Sequence, residues 1–152
     1  MSLGGGGGGG AMQQIQEQMQ ALEQEKQAIQ AEIQNIREEQ GEIDEAIEAI
    51  ETLESGSTVQ VPIGGDAYVR AEIQDMDEVV VTLGGGYAAE RNSDGAIESL
   101  EHKKETLDDR IAELEAEIET VEEETEDLEA KAQQAQQQQM QQMQQMQQQD
   151  DE

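Results

Sequence analysis

Thr58 to Arg91 reads TVQVPIGGDAYVRAEIQDMDEVVVTLGGGYAAER. Apolar residues alternate along it in two pairs of short runs. The first pair is Val59, Val61 and Ile63 with Val69, Ala71 and Ile73; the second is Val79, Val81 and Leu83 with Tyr87 and Ala89. A period of two is the strand pattern. Gly64-Gly65-Asp66 and Gly84-Gly85-Gly86 stand between the members of each pair and predict two tight hairpin turns, while Gln74-Asp75-Met76-Asp77 joins the hairpins. Pro62 removes one backbone donor and predicts an edge position or a bulge. Two hairpins cannot bury an apolar face alone. The missing layer is read as another subunit, giving a small closed barrel or stacked sheets.

A heptad leads into this β region. Met12, Met19, Lys26, Ile33, Gln40 and Ile47 fall on one core position, and Ile15, Leu22, Ile29, Ile36, Ile43 and Ile50 on the other. The spacing alternates between three and four, which predicts a left-handed supercoil. Such a helix runs roughly 60 Å at 1.5 Å per residue. Lys26 and Gln40 interrupt the seam as polar layers that fix register. Ser55-Gly56-Ser57 stops the helix. Beyond the strands, with Asp94 or Ser93 as N-cap, a second heptad begins. Ile97, Lys104, Ile111, Ile118, Thr125 and Ala132 alternate with Leu100, Leu107, Leu114, Val121, Leu128 and Ala135. The helices match in length, so they are predicted to run back antiparallel, with Glu54 near Ala96 and Met12 near Gln138. An intermolecular coiled coil with diverging helices is the competing topology.

The predicted segments are a flexible glycine-rich tail over 1–11, a coiled-coil helix over 12–54, the two hairpins over 58–91, a second coiled-coil helix over 94–138 and a Gln/Met-rich tail over 139–152. Seam quality falls toward the chain ends, where Thr125, Ala132 and Ala135 face Met12, Ile15 and Met19. Ala132 to Gln149 carries no charge. These ends are predicted to fray and to offer adaptable side chains.

Composition narrows the function. The 152 residues include no Phe, Trp or Cys and two Tyr, which excludes a thick aromatic core and any thiol chemistry. Eight basic against 37 acidic residues leave a net charge of −29. An acidic coiled-coil surface accounts for part of this. The fuller reading is a very salty cytoplasm, where a Debye length of ~3 Å at 1 M removes most self-repulsion. With no basic patch, nucleic acid is not an expected partner. Nor is a membrane, because no segment approaches ~20 apolar residues and no secretory signal opens the chain. A cytoplasmic location is the default expectation. His102, the sole histidine, reads as a surface residue, and Asp75, Asp77 and Glu78 as a turn rather than a calcium loop. No nucleophile, nucleotide or ligand set is present, so no catalysis, cofactor or metal is expected.

The order helix, two hairpins, helix resembles the alpha-class subunits of archaeal prefoldin. The most specific resemblance is Val61-Pro62-Ile63-Gly64-Gly65-Asp66-Ala67-Tyr68-Val69-Arg70-Ala71. Val79-Val80-Val81-Thr82-Leu83-Gly84-Gly85-Gly86-Tyr87 and then Ala96-Ile97-Glu98-Ser99-Leu100 follow it. The resemblance covers about residues 12–138 and leaves out the glycine start and the Gln/Met tail; the acidity fits a salt-adapted member. It implies an α+β fold, a long antiparallel coiled-coil hairpin whose two central β-hairpins join an intersubunit β-barrel platform. It also implies a heterohexamer of two alpha-class and four beta-class subunits that holds unfolded proteins between coiled-coil tips. Clients then pass to a group II chaperonin without nucleotide hydrolysis.

On that reading Val59, Val61, Ile63, Val69, Ala71, Ile73, Val79, Val81, Leu83 and Tyr87 carry oligomerisation, and Val81→Asp is expected to block assembly while sparing helix content. Met12, Ile15, Met19, Leu22, Leu128, Ala132, Ala135, Met140 and Met143 carry client binding. Two alternatives stand beside it: a structural coiled-coil scaffold or dimerisation protein without client holding, and an acidic module binding basic proteins.

Overall fold

The computed structural model describes residues 6–150. In order these form α1 (Gly6–Thr52), β1 (Thr58–Gly64), β2 (Ala67–Glu72), β3 (Val79–Gly84), β4 (Tyr87–Arg91) and α2 (Ser93–Asp150). The fold is α+β: a long antiparallel helical hairpin with two separate two-stranded antiparallel sheets between its helices in sequence. The chain divides into two compact units, residues 1–33 with 112–152, and residues 34–111.

Periodicity explains the burial. From Met12 to Ile50 and from Ile97 to Ala135, every position of the two heptads is buried or half-buried, while most of their neighbours are exposed. In the first unit Ile29, Ile33, Leu114 and Val121 are buried, and Leu114 is the most enclosed side chain at 1% exposure. In the second unit Ile43, Val81, Ala96 and Leu100 form a cluster backed by Ala46, Ile47, Ile50, Val79 and Leu107.

Polar residues in the seams find partners across it. Lys26 Nζ lies 3.2 Å from Glu122 Oε1 in the first unit. In the second, Gln40 Nε2 donates to Asp108 Oδ1 at 2.7 Å and to the Lys104 carbonyl at 3.2 Å. Lys104 Nζ donates to Asp44 Oδ1 at 2.5 Å, a bond that raises the Lys104 pKa above its ordinary value. In the second unit the pairs 40/108 and 44/104 run in antiparallel order along the two helices. Such polar layers add little net energy when exposed but disfavour slipped alignments.

The hairpins obey turn chemistry. Gly65 and Asp66 have φ of 58° and 60°, and Gly85 and Gly86 have 61° and 82°. Positive φ at both central residues marks the turn that matches strand twist. Both ladders shift register just before the turn, between Pro62 and Gly64 and between Thr82 and Gly84, leaving Ile63 and Leu83 as the extra residues of β-bulges. The segment joining the hairpins is pinned from both sides. Asp75 Oδ1 accepts from the Asp77 N–H, Ser55 Oγ accepts from the Met76 N–H, and the Ser93 hydroxyl donates to the Met76 carbonyl at 2.7 Å.

Three local expectations need correction. The N-cap of α2 is Asn92, whose Oδ1 accepts from the Gly95 N–H at 2.8 Å; Asp94 lies within the first turn and Ser93 is engaged by Met76. Gly6 to Ala11 are helical, not a flexible tail; residues 1–5 of that tail lie outside the described residues. Adding residues to an existing helix avoids the cost of nucleation, although each Gly is ~1 kcal/mol poorer than Ala. At the other end α2 continues past Gln138 to Asp150, because Gln, Met and Ala are good helix formers. Residues 151–152 again lie outside the described residues.

Leu114→Ala removes the most enclosed side chain, so it should destabilise the chain by about 2–5 kcal/mol. Urea unfolding followed by helical circular dichroism measures this; a loss below ~1 kcal/mol would mean the seam is loosely packed there.

Candidate functional site

Cross-strand pairing sorts the first hairpin into two faces. Val59 stands opposite Ala71 and Val61 opposite Val69 on one face; Gln60 opposite Arg70 and Pro62 opposite Tyr68 form the other. Val59, Ala71 and Ile73 are half-buried, and the Ile73 backbone bonds to Ser57 and Gly56. Val61, Ile63, Tyr68 and Val69 are largely exposed. Within this chain the aliphatic face is covered only in part, at Val59 and Ala71, and open toward the turn.

The second hairpin separates the predicted assembly residues by exposure. Val81 is 5% exposed and packs with Ile43, Ala96 and Leu100, with half-buried Val79 against the same cluster. These two valines therefore pack within the subunit and also border the groove along β3. Val80, which sequence alternation passes over, is 67% exposed, and Leu83 and Tyr87 are exposed beside the turn. The unbroken run Val79-Val80-Val81 was the available signal, since three successive apolar residues mark a strand covered on both faces. A shallow groove of about 400 Å³ runs along β3, lined in part by Ala46, Ala49, Ile50 and Val80. It leaves apolar side chains open beside a strand that pairs with β4 along one edge only.

A different surface occupies the chain-terminal parts of the helices. Leu22 and Leu128 come together in a groove of about 400 Å³, flanked by Glu25, Glu124 and Asp127. Met12, Ile15 and Met19 on α1, and Ala132 and Ala135 on α2, are half-buried, in contrast to the buried Ile29 and Val121. Beyond Ala135 every residue through Gln149 is exposed. Met140 and Met143 are 62% and 66% exposed, and Met146, three residues further on, is 69% exposed. The structure does not bring these methionines into the seam. A Cβ added at Gly10 would meet nothing within 4 Å, so a side chain at that position would stand in open space.

Elsewhere the chemistry is plain. The His102 side chain is 82% exposed, with Nδ1 3.6 Å from Glu105 on the same helix face. Among the described residues no group of three His, Cys, Asp or Glu is placed to hold a metal, and no helix is long and apolar enough to cross a membrane.

Comparison with known proteins agrees with this geometry. The family model described as "Prefoldin subunit" matches residues 22–149. A prefoldin subunit alpha of Haloarcula marismortui is 69% identical over 113 residues, covering 74% of this chain and 73% of the relative. One from Halobacterium salinarum is 63% identical over 114 residues, covering 75% and 73%. Among solved structures, a filamentous prefoldin from Methanocaldococcus jannaschii matches with a TM-score of 0.53 at 28% identity, over 81% of this chain and 98% of that one. The prefoldin beta subunit of Thermococcus strain KS-1 shares the fold, with a TM-score of 0.52 at 22% identity over 82% and 90%. The chain belongs to the prefoldin family, whose members are chaperone subunits and not enzymes, and its similarity there is to the alpha subunits of salt-adapted archaea.

Proposed function

We propose that this chain is the alpha-class member of a heterohexamer with two alpha-class and four beta-class subunits. The assembly holds unfolded proteins at the chain-terminal ends of its helices and passes them to a group II chaperonin in the cytoplasm, with no nucleotide consumed. The observation that carries the proposal is the gradient along the seam. It passes from buried Ile29, Leu114 and Val121, through half-buried Met12, Met19 and Ala132, to exposed Met140 and Met143. A loosened seam offers apolar side chains at small cost in ordered structure. Methionine suits a client defined by being unfolded, because its unbranched thioether adapts to irregular surfaces.

Assembly rests on the hairpins. Their free strand edges and the exposed Val61, Ile63, Val69, Val80, Leu83 and Tyr87 fit strand addition from neighbouring subunits. Val59, Ala71 and Ile73 border that surface; Val79 and Val81 support it from beneath. The acidic residues around Leu22 and Leu128 keep a captured complex soluble, while molar salt screens them and strengthens apolar contacts. A pure coiled-coil scaffold would need no such loosened end.

Two outcomes follow. Val80→Asp should give a folded chain that fails to join beta-class subunits in gel filtration, whereas Val81→Asp should lower helix content and stability by several kcal/mol through an unpaired buried charge. Equal behaviour of the two would contradict the assignment of the strand faces. In a light-scattering assay at molar salt, the reconstituted complex should suppress client aggregation. Removing residues 1–19 and 130–152 should abolish suppression with the hexamer otherwise unchanged. Suppression by both would move the client site inward, and suppression by neither would favour the scaffold.

A further inference from the structure

The seven methionines of this chain do not share one environment. Met12, Met19 and Met76 are half-buried, whereas Met140, Met143 and Met146 expose about two thirds of their surface. A step of three residues turns an α-helix by 300°, so these last three lie within an arc of about 120° on α2. The segment around them is Gln-rich and carries no charge from Ala132 to Gln149. It is thus an uncharged thioether stripe, open to solvent, on a chain with a net charge of −29.

Thioethers are oxidised in proportion to their access to oxidant, and the product is a polar sulfoxide. We propose that Met140, Met143 and Met146 form a reversible oxidation site that turns client holding down under peroxide stress; this rests on the client-holding function proposed above. In the step, a sulfur lone pair attacks one oxygen of hydrogen peroxide. The S–O bond forms as the O–O bond breaks, the sulfur gives up two electrons, and the departing hydroxide takes up a proton to leave as water. A dithiol-dependent sulfoxide reductase reverses it by removing that oxygen as water while the dithiol becomes a disulfide.

The consequence is local because of where the stripe sits. Each sulfoxide replaces an adaptable apolar contact with a strong dipole that prefers water, on the surface offered to the client. Nothing in the seam depends on these side chains, which are exposed, so register and assembly stay as they were. Half-buried Met12 and Met19 oxidise more slowly, and the hairpins, with no cysteine or methionine in any strand, are untouched.

The test uses the reconstituted full-length complex. It is treated with millimolar hydrogen peroxide, mapped by peptide mass spectrometry and assayed for suppression of client aggregation before treatment, after it, and after methionine sulfoxide reductase with dithiothreitol. The inference expects sulfoxide first at residues 140, 143 and 146, loss of roughly half or more of the suppression at constant hexamer mass, and recovery on reduction. A complex carrying Met140→Leu, Met143→Leu and Met146→Leu should keep after peroxide whatever suppression it shows before it, because no thioether is left in the stripe. Oxidation of the three residues with unchanged suppression would overturn the inference, as would equal peroxide sensitivity of the Leu variant. Absence of suppression before any oxidant is added would instead remove the holding function on which it rests.

Discussion

A two-stranded sheet has two open edges, and the described chain contains two such sheets, the second laid by Val79 and Val81 against the helices. Val61, Ile63, Val69, Val80, Leu83 and Tyr87 remain in contact with solvent in the single chain. At about 25 cal/mol per Å² of apolar surface, covering even a few such side chains is worth several kcal/mol. On the proposed reading the strands supply both the backbone edges and the driving force for association. The helices contribute by holding β3 in place through Val81, Ala96, Leu100 and Ile43. Membership of a family of oligomeric chaperone subunits accords with that surface.

The helical seam meets a second requirement, register without large side chains. Aliphatic layers alone tolerate slippage by a heptad. Lys26 with Glu122, Gln40 with Asp108, and Lys104 with Asp44 make the slipped alignments lose hydrogen bonds or ion pairs. With 37 acidic residues, cations are scarce, and two of the eight bases are spent on the seam itself. Exposed pairs of this kind contribute little to stability in molar salt, so their value lies in specifying alignment.

Most of the architecture was legible because both periods are strict. Each heptad position from Met12 to Ala135 is buried or half-buried as the spacing requires, and the glycine turns fall between the strands they separate. The errors lie where alternation and propensity underdetermine the answer. Val80 was passed over because a run of three valines does not say which face meets the helices; packing against Ala96 and Leu100 decides that. Asn92 outcompeted Ser93 and Asp94 as a cap because the Ser93 hydroxyl serves the turn at Met76. The helical Gly6–Gly10 segment runs against glycine's propensity and has no signal in the local sequence. The chain-terminal surface was legible only as a decline in seam quality, since methionine and alanine at heptad positions look the same whether they pack or wait for a partner.

On the proposed reading, assembly and client holding fall on separate stretches of one chain, the strands for the first and the terminal turns of the helices for the second. The most direct test of that division places a photo-crosslinking amino acid at Met19, Leu128 or Met143, and separately at Val80 or Val61, in complexes reconstituted with beta-class subunits. Presented with a chemically unfolded client at molar salt, the first three positions should crosslink to client and the last two to neighbouring subunits. Client adducts at Val80 or Val61, with none at Met19, Leu128 and Met143, would contradict the account.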